Sequence, residues 1–312
     1  MTTAEAAQAA AREDRALGCF LGLAVGDAVG TTVEFRPRGS FPALTDMVGG
    51  GPFGLRAGQW TDDTSMALCL AESLLAEPCL DELDLMRRFR RWMEEGENSA
   101  TGHCFDIGST TRAAIERFIR TGNPIAGETA PGSAGNGSIM RLAPLALRHW
   151  RHPDQARELA ERQSRTTHGA AEAVAACALL SDILCAAITH GPAAAFPEGG
   201  RAVRLWPPRI QAIAQGSWRG LRAEELRSSG YVVHTLTAAL WCATHARNFE
   251  EAVLMAANLG DDADTVAAVT GQIAGAMHGE SGIPPRWRDI LHDGARLRAL
   301  GLALHDAALR EA

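Results

Sequence analysis

The stretch Ala170–Ile188, AAEAVAACALLSDILCAAI, is the most apolar long run in the chain, and two acids, Glu172 and Asp182, interrupt it. A helix that crosses a bilayer needs about 20 nearly uncharged residues, so this run reads as a helix buried in a protein core. Around it, Ala-rich segments with apolar residues three and four apart predict helices over 5–29, 62–76, 82–95, 108–120 and 139–149. The pattern continues over 154–165, 170–190, 201–215, 233–246, 249–258, 264–278 and 288–308. Strand signals are nearly missing: aromatics make up 5% of the chain, and no run alternates apolar and polar residues between turns. Gly- and Pro-rich connections fall at 35–60, 122–136 and 191–200. There is no fixed-period repeat, no heptad run and no interdomain linker. The expected architecture is all-α, one compact multi-helix domain over 1–312, with residues 1 to about 13 as a flexible or helical extension.

Composition narrows the chemistry. All 30 basic residues are arginine, which removes a pyridoxal Schiff base, a Walker phosphate loop and a Ser-x-x-Lys acyl-enzyme, since each needs a lysine amine. The net charge of −7 has the wrong sign for tracking nucleic-acid phosphates. The seven cysteines (Cys19, Cys69, Cys79, Cys104, Cys177, Cys185 and Cys242) form no C-x-x-C pair. Neither a disulfide framework nor a thiolate zinc site is spaced this way. The first residues carry acids and lack the basic-then-apolar order of a signal peptide. A cytoplasmic enzyme with no nucleic-acid or membrane partner is the expectation.

Two acid-rich helix starts carry the first chemical signal. Trp60-Thr61-Asp62-Asp63-Thr64 opens the segment containing Met66, Leu68, Leu70 and Leu74; Gly260-Asp261-Asp262-Ala263-Asp264-Thr265 opens the one containing Val266, Val269, Ile273 and Met277. Thr and Asp cap free amides at helix starts and suit the dipole. Capping accounts for one acid at each start and leaves one or two over. The second cluster is no EF-hand, because position five is Val266 and the loop glycine and terminal Glu are absent. If the two starts face each other, four carboxylates in one cleft repel unless cations are present, and oxygen-only ligands favour Mg²⁺ or Mn²⁺ over Zn²⁺.

Further signals are weaker alone. Gly135-Asn136-Gly137-Ser138, before Ile139, Met140 and Arg141, and Gly108-Ser109, after Asp106, have the small residues that let amides approach a phosphate. Either is equally an ordinary turn. Gly49 to Gly54 formally matches G-x-G-x-x-G, but no predicted strand precedes it and no helix opens from it, so the dinucleotide reading fails. His168, after Thr166-Thr167, fits either a ligand contact or a helix cap. Tyr231, the only tyrosine, fits a nucleobase stack or plain packing.

Taken in order, these motifs resemble the ADP-ribosylglycohydrolase family: Gly26-Asp27-Ala28-Val29-Gly30 with Glu34, Thr61-Asp62-Asp63, Gly135 through Arg141, Thr167-His168, and Gly260 through Thr265. The resemblance implies a compact all-α fold with a binuclear Mg²⁺ or Mn²⁺ cleft, whose ligands would be Thr61, Asp62, Asp63, Asp262, Asp264 and Thr265. It places Glu34 beside the centre, as ligand or as acid/base group. It gives the pyrophosphate to Gly135, Asn136, Gly137 and Ser138 together with Gly108 and Ser109, and sets Tyr231 and His168 near the adenosine half or the ribose. Within the family, Cys104 through Gly108 and Gly230 through Val233 are most similar to the bacterial dinitrogenase-reductase-activating branch, which removes ADP-ribose from arginine. Asp106 would then meet the guanidinium, a sensible partner for a bidentate carboxylate. Glu34 or Asp106 would handle the proton while Asp62 and Asp262 orient the water. The implied partner is a protein carrying arginine-linked ADP-ribose, with free ADP-ribose as product. Asp261 receives no role.

Three alternatives stay open on the residues: hydrolysis of serine-linked or other O-linked ADP-ribose, a two-metal phosphatase or pyrophosphatase on nucleotides, and a non-catalytic ADP-ribose binder.

Overall fold

The computed structural model describes residues 2–196 and 205–310. Its helices are α1 Thr3–Gly30, α2 Asp62–Ala76, α3 Glu82–Glu95, α4 Ser109–Thr121, α5 Ala143–His149, α6 Pro153–Thr167 and α7 Ala171–His190. They continue with α8 Pro192–Ala195, α9 Pro208–Ala214, α10 Val232–His245, α11 Phe249–Ala257, α12 Ala263–His278, α13 Pro285–Ile290 and α14 Gly294–Arg310. Among the described residues, β-structure is confined to isolated bridges, so the all-α expectation holds.

The core is organised by α1 and α12, which run antiparallel with their backbones touching. Gly18, Gly22, Gly26 and Gly30, spaced every four residues, make one stripe on α1. A Cβ built on Gly22 would lie 2.2 Å from the Gly271 carbonyl oxygen, and one on Gly26 2.1 Å from that of Ala267. Any side chain there would force the helices apart. This contact sets the C-terminal end of α1, with Asp27, beside the N-terminal end of α12, with Asp264. The apolar run at 170–188 falls in α7, a core helix packed against α5, α6, α10, α12 and α1. Among the described residues, two segments, Thr3–Val33 and α7, are long and apolar enough to cross a membrane, but 94% and 83% of their most apolar windows are buried within the fold.

Several boundaries depart from the sequence expectation for identifiable reasons. The N-terminal extension takes the helical of its two expected forms, and α1 starts two residues early, at Thr3, because Thr2 Oγ1 accepts from the Glu5 amide at 3.2 Å and the Glu5 carboxylate accepts from the Thr2 amide at 2.6 Å. The helix expected over 139–149 starts only at Ala143. The Ile139 and Met140 carbonyls accept from Gln272 Nε2, at 3.3 and 2.7 Å, and Pro144 suits a first turn. The segment expected over 288–308 is broken at 291–293. There the His292 amide donates to the Gly58 carbonyl, Trp60 Nε1 donates to the His292 carbonyl, and Asp293 takes φ +53°. The helix expected over 201–215 is observed as α9; its first residues, 201–204, lie outside those described.

Candidate metal centre and substrate cleft

Neither acid-rich helix start caps its own helix: Thr61 and Asp262, the N-cap residues of α2 and α12, make no side-chain cap. For α2 the cap comes from α1. Asp27 Oδ1 accepts from the Thr61 amide and hydroxyl, both at 2.9 Å, and Oδ2 accepts from the Thr64 amide at 3.0 Å and hydroxyl at 2.6 Å. Capping therefore uses neither Asp62 nor Asp63.

The two starts converge. Asp63 Oδ2 accepts from Thr265 Oγ1 at 3.4 Å, and Thr61 Oγ1 lies 3.4 Å from Asp264 Oδ2. Among the described residues, two sets of carboxylate oxygens gather within 4.8 Å, Asp27–Asp63–Asp264 and Glu34–Asp106–Asp264, sharing Asp264. One buried oxygen on each of Asp63, Asp264, Glu34 and Asp106 has no hydrogen-bond partner within the protein. Burial, followed by repulsion from neighbouring acids, holds their protons on. Glu34 is pushed up to about 10, Asp106 to about 7, and Asp63 and Asp264 well above the usual carboxylate range. Burial raises Asp27 to about 6 against the lowering effect of its four hydrogen bonds. Asp62 and Asp262 are raised by burial too and line the cleft beside these sets. Orphaned buried oxygens in two all-oxygen groups are what a pair of hard cations would satisfy, so the residues fit a metal centre.

Above this floor lies a cleft of about 820 Å³ bordered by Glu34, Asp106, Gly108, Ser109, Arg112, Gly135, Asn136, Gly137 and His168. At α4, Gly108 is the N-cap without a side-chain cap, so the first-turn amides face the cleft. The Gly135–Ser138 turn behaves differently from expectation. It does not open a helix, since α5 begins five residues after it. The Gly135 amide already donates to the Ser133 carbonyl and the Asn136 amide to the Gly230 carbonyl. Asn136 instead turns its side chain onto Asp262, with Nδ2 donating at 2.6 Å. Ser138 faces the core, bonded to Ser164 Oγ at 2.8 Å, and does not border the cleft. His168 is the C-cap residue of α6, and its ring, 2% exposed, lies under the turn and borders the cleft. A Cβ on Gly137 would sit 2.7 Å from that ring, which explains the glycine. Burial and the nearby Arg141 guanidinium push His168 down to about 3, so it is neutral. Arg141, fully buried, ties the turn to α6 by donating to the Gly137 carbonyl, the Gln163 side chain and Thr167 Oγ1.

A second cavity, of about 760 Å³, shares Thr110, Gly135 and Gly230 with the first and is bordered by Tyr231 and Arg209. Tyr231 lies here rather than over the carboxylates, and its hydroxyl accepts from Arg209 at 2.7 Å and donates to Glu172 at 2.5 Å.

The sequence reading gave no role to Asp27, Arg112, Phe35, Phe53 or Phe105. An acid inside the apolar run of α1 was the available signal for Asp27. Asp261 acts through its backbone: its carbonyl accepts from the Phe35 amide at 2.7 Å and its amide donates to the Arg36 carbonyl at 2.8 Å. This staple fixes the Glu34 segment to the start of α12. Gly260 sits at φ +72°, where a Cβ would lie 2.4 Å from the Arg36 carbonyl oxygen.

Residues 8–312 match the profile of the ADP-ribosylglycohydrolase family. The chain belongs to that family. An ADP-ribosylarginine hydrolase, Tri1, of Pseudomonas putida (strain GB-1) is 47% identical over 95% of this chain and 79% of its own length. The ADP-ribosyl-[dinitrogen reductase] glycohydrolase of Rhodospirillum rubrum is 36% identical, covering 88% of this chain and 89% of that protein. A solved structure described as an ADP-ribosylglycohydrolase-related protein complex superposes with a TM-score of 0.82 at 45% identity, covering 95% of this chain and 99% of the other. This ADP-ribosylglycohydrolase is thus an enzyme of the glycohydrolase type. The motif resemblance pointed to the dinitrogenase-reductase branch; similarity extends to it and runs higher to Tri1.

Proposed function

We propose that this protein removes ADP-ribose from ADP-ribosylated arginine on a protein, using two divalent cations, Mg²⁺ or Mn²⁺. The observation that carries the reading is the pair of carboxylate groups meeting at Asp264, with Asp106 and Glu34 at the cleft edge of one of them. Two relatives named for ADP-ribosylarginine hydrolysis, at 47% and 45% identity, support the linkage.

Asp27, Asp63 and Asp264 would hold one cation and Glu34, Asp106 and Asp264 the other, with Thr61, Asp62, Asp262 and Thr265 completing the shell. Bound there, the cations supply Lewis acidity toward the ribose hydroxyls and neutralise the acids. The free first-turn amides of α4, from Ser109 on, and the Arg112 side chain receive the pyrophosphate at a helix N-terminus. The adenosine half extends past Gly135 and Gly230 toward Tyr231. Asp106 faces the guanidinium. Hydrolysis breaks the bond between ribose C1″ and the guanidine nitrogen, leaves water's hydroxyl on C1″ and returns its proton to the nitrogen. Of the acids at the cleft edge, Glu34 or Asp106 handles the proton. Asp62 and Asp262 orient the water. The reaction belongs in the cytoplasm.

The test is a product assay on arginine-linked and serine-linked ADP-ribosylated substrates with Mg²⁺, Mn²⁺ or chelator. Cation-dependent release of free ADP-ribose from the arginine substrate alone is expected. Release from serine alone would overturn the linkage, and AMP as main product would overturn the glycohydrolase reading.

A further inference from the structure

Three aromatic rings stand at the mouth of the cleft outside the hydrophobic core. Phe35 is 65% exposed, and Phe53 and Phe105 are half-buried. Phe35 meets Phe53 edge-on at 6.3 Å between centroids, and Phe53 meets Phe105 at 5.1 Å and 60°. All three border the cleft with the carboxylates, and none borders the second cavity. Two of them are chained to the reacting acids: Phe35 follows Glu34, and Phe105 precedes Asp106.

Core packing does not account for this row. Phe35 is held at φ +61°, a region bulky side chains rarely adopt, and Asp106 at φ +59°. The reciprocal backbone bonds between Phe35, Arg36 and Asp261 over-determine that conformation. Strain of this kind, keeping a phenyl ring in solvent at a cleft mouth, points to a ligand.

On the arginine-linked reading above, the two cavities divide the substrate. The second continues from Gly135, Gly230 and Thr110 and takes in none of the three Phe residues, which leaves the Phe row for a group other than the adenosine half. Resting on the arginine-linked reading above, we propose that Phe35, Phe53 and Phe105 form the recognition wall for the modified arginine side chain. The planar guanidinium lies against the ring faces beside Asp106, and the methylene stem runs along the rings toward the substrate protein. Aromatic faces attract a planar cation and tolerate an alkyl chain, whereas a serine linkage offers neither.

The test compares F35L, F53L and F105L, and the corresponding Tyr variants, with the unaltered enzyme on an arginine-ADP-ribosylated peptide. The KM of the Leu variants should rise about 2- to 30-fold, more than kcat changes, and Tyr should restore it. Their affinity for free ADP-ribose, measured by calorimetry, should stay within about twofold, because the product carries no guanidinium. Unchanged KM in all three Leu variants overturns the proposal, as does an equal loss of ADP-ribose affinity. Phe35 is exposed, so F35L keeps the test valid if a half-buried variant folds poorly. If the unaltered enzyme fails to release ADP-ribose from the arginine peptide, the linkage reading itself falls; if it succeeds and the Leu variants match it, only the wall does.

Discussion

Asp27 on α1 holds Thr61 at the start of α2 through one oxygen, which accepts from both the amide and the hydroxyl at 2.9 Å. The other oxygen grips Thr64 in the same way. The position of the α2 acids is therefore dictated from a different helix.

Replacing that carboxylate should loosen the centre and the fold together. D27A leaves two buried amides and two hydroxyls without their acceptor, a cost of about 3 kcal/mol or more. Calorimetry should show a lower melting temperature and loss of Mn²⁺ binding at one site or both. An unchanged cation titration would count against Asp27.

Without cations, stability should fall as pH rises. The folded chain holds protons on Asp27 (about 6), Asp106 (about 7) and Glu34 (about 10) that the unfolded chain releases near pH 4. Stability from these groups is full below that value and drains away as pH passes through each folded pKa. Melting curves in chelator at pH 5, 7 and 8.5 should descend. Added Mg²⁺ or Mn²⁺ should raise the melting temperature most at the highest pH, and a flat, cation-insensitive series would sink the metal reading.

His168 acts in the opposite direction. Its folded pKa of about 3 lies below the ordinary value of 6.5, so its contribution is intact above pH 6.5 and is lost as pH falls toward 3. H168Q should make the acid limb of the stability profile shallower, in pH-dependent denaturant melts, by about one proton. An identical slope would mean the imidazole is not neutral in the fold.

D106A should reduce turnover of arginine-linked substrate by about 100-fold or more, with the Asp27–Asp63–Asp264 group still binding Mn²⁺. Steady-state rates and a binding stoichiometry give the two readings; retained turnover would remove Asp106 from the guanidinium.

G22A places a methyl group 2.2 Å from the Gly271 carbonyl oxygen, a main-chain atom that cannot swing aside. A destabilisation of about 3 kcal/mol is expected in chemical denaturation, at the upper end of overpacking costs. A change under about 1 kcal/mol would mean the helices separate easily.

What the sequence disclosed and what it hid follow from the range of the interactions. The bounds of α3 were legible because its signals are local: Asp81 caps the Leu83 amide and Gly96 ends the helix at φ +74°. The acid sets were legible because two acids at a helix start exceed what a cap uses. The break at 291–293 was not, since its cause, Gly58 and Trp60, lies more than 230 residues away. Nor was Asp27's role, whose partners sit on another helix. Ser138 looked like part of a phosphate turn and faces Ser164, because the turn leads into the core instead of opening a helix.

The glycine stripe between α1 and α12 leaves no compressible layer of side chains between the two halves of the carboxylate floor. Main chain rests on main chain, so sliding can only occur in whole repeats of the stripe, about 6 Å for four residues. The span from Asp27 to Asp264 is thereby a quantised register. Gradual exchange of surrounding side chains can retune charge and hydration at the floor, but not the gauge of the cage.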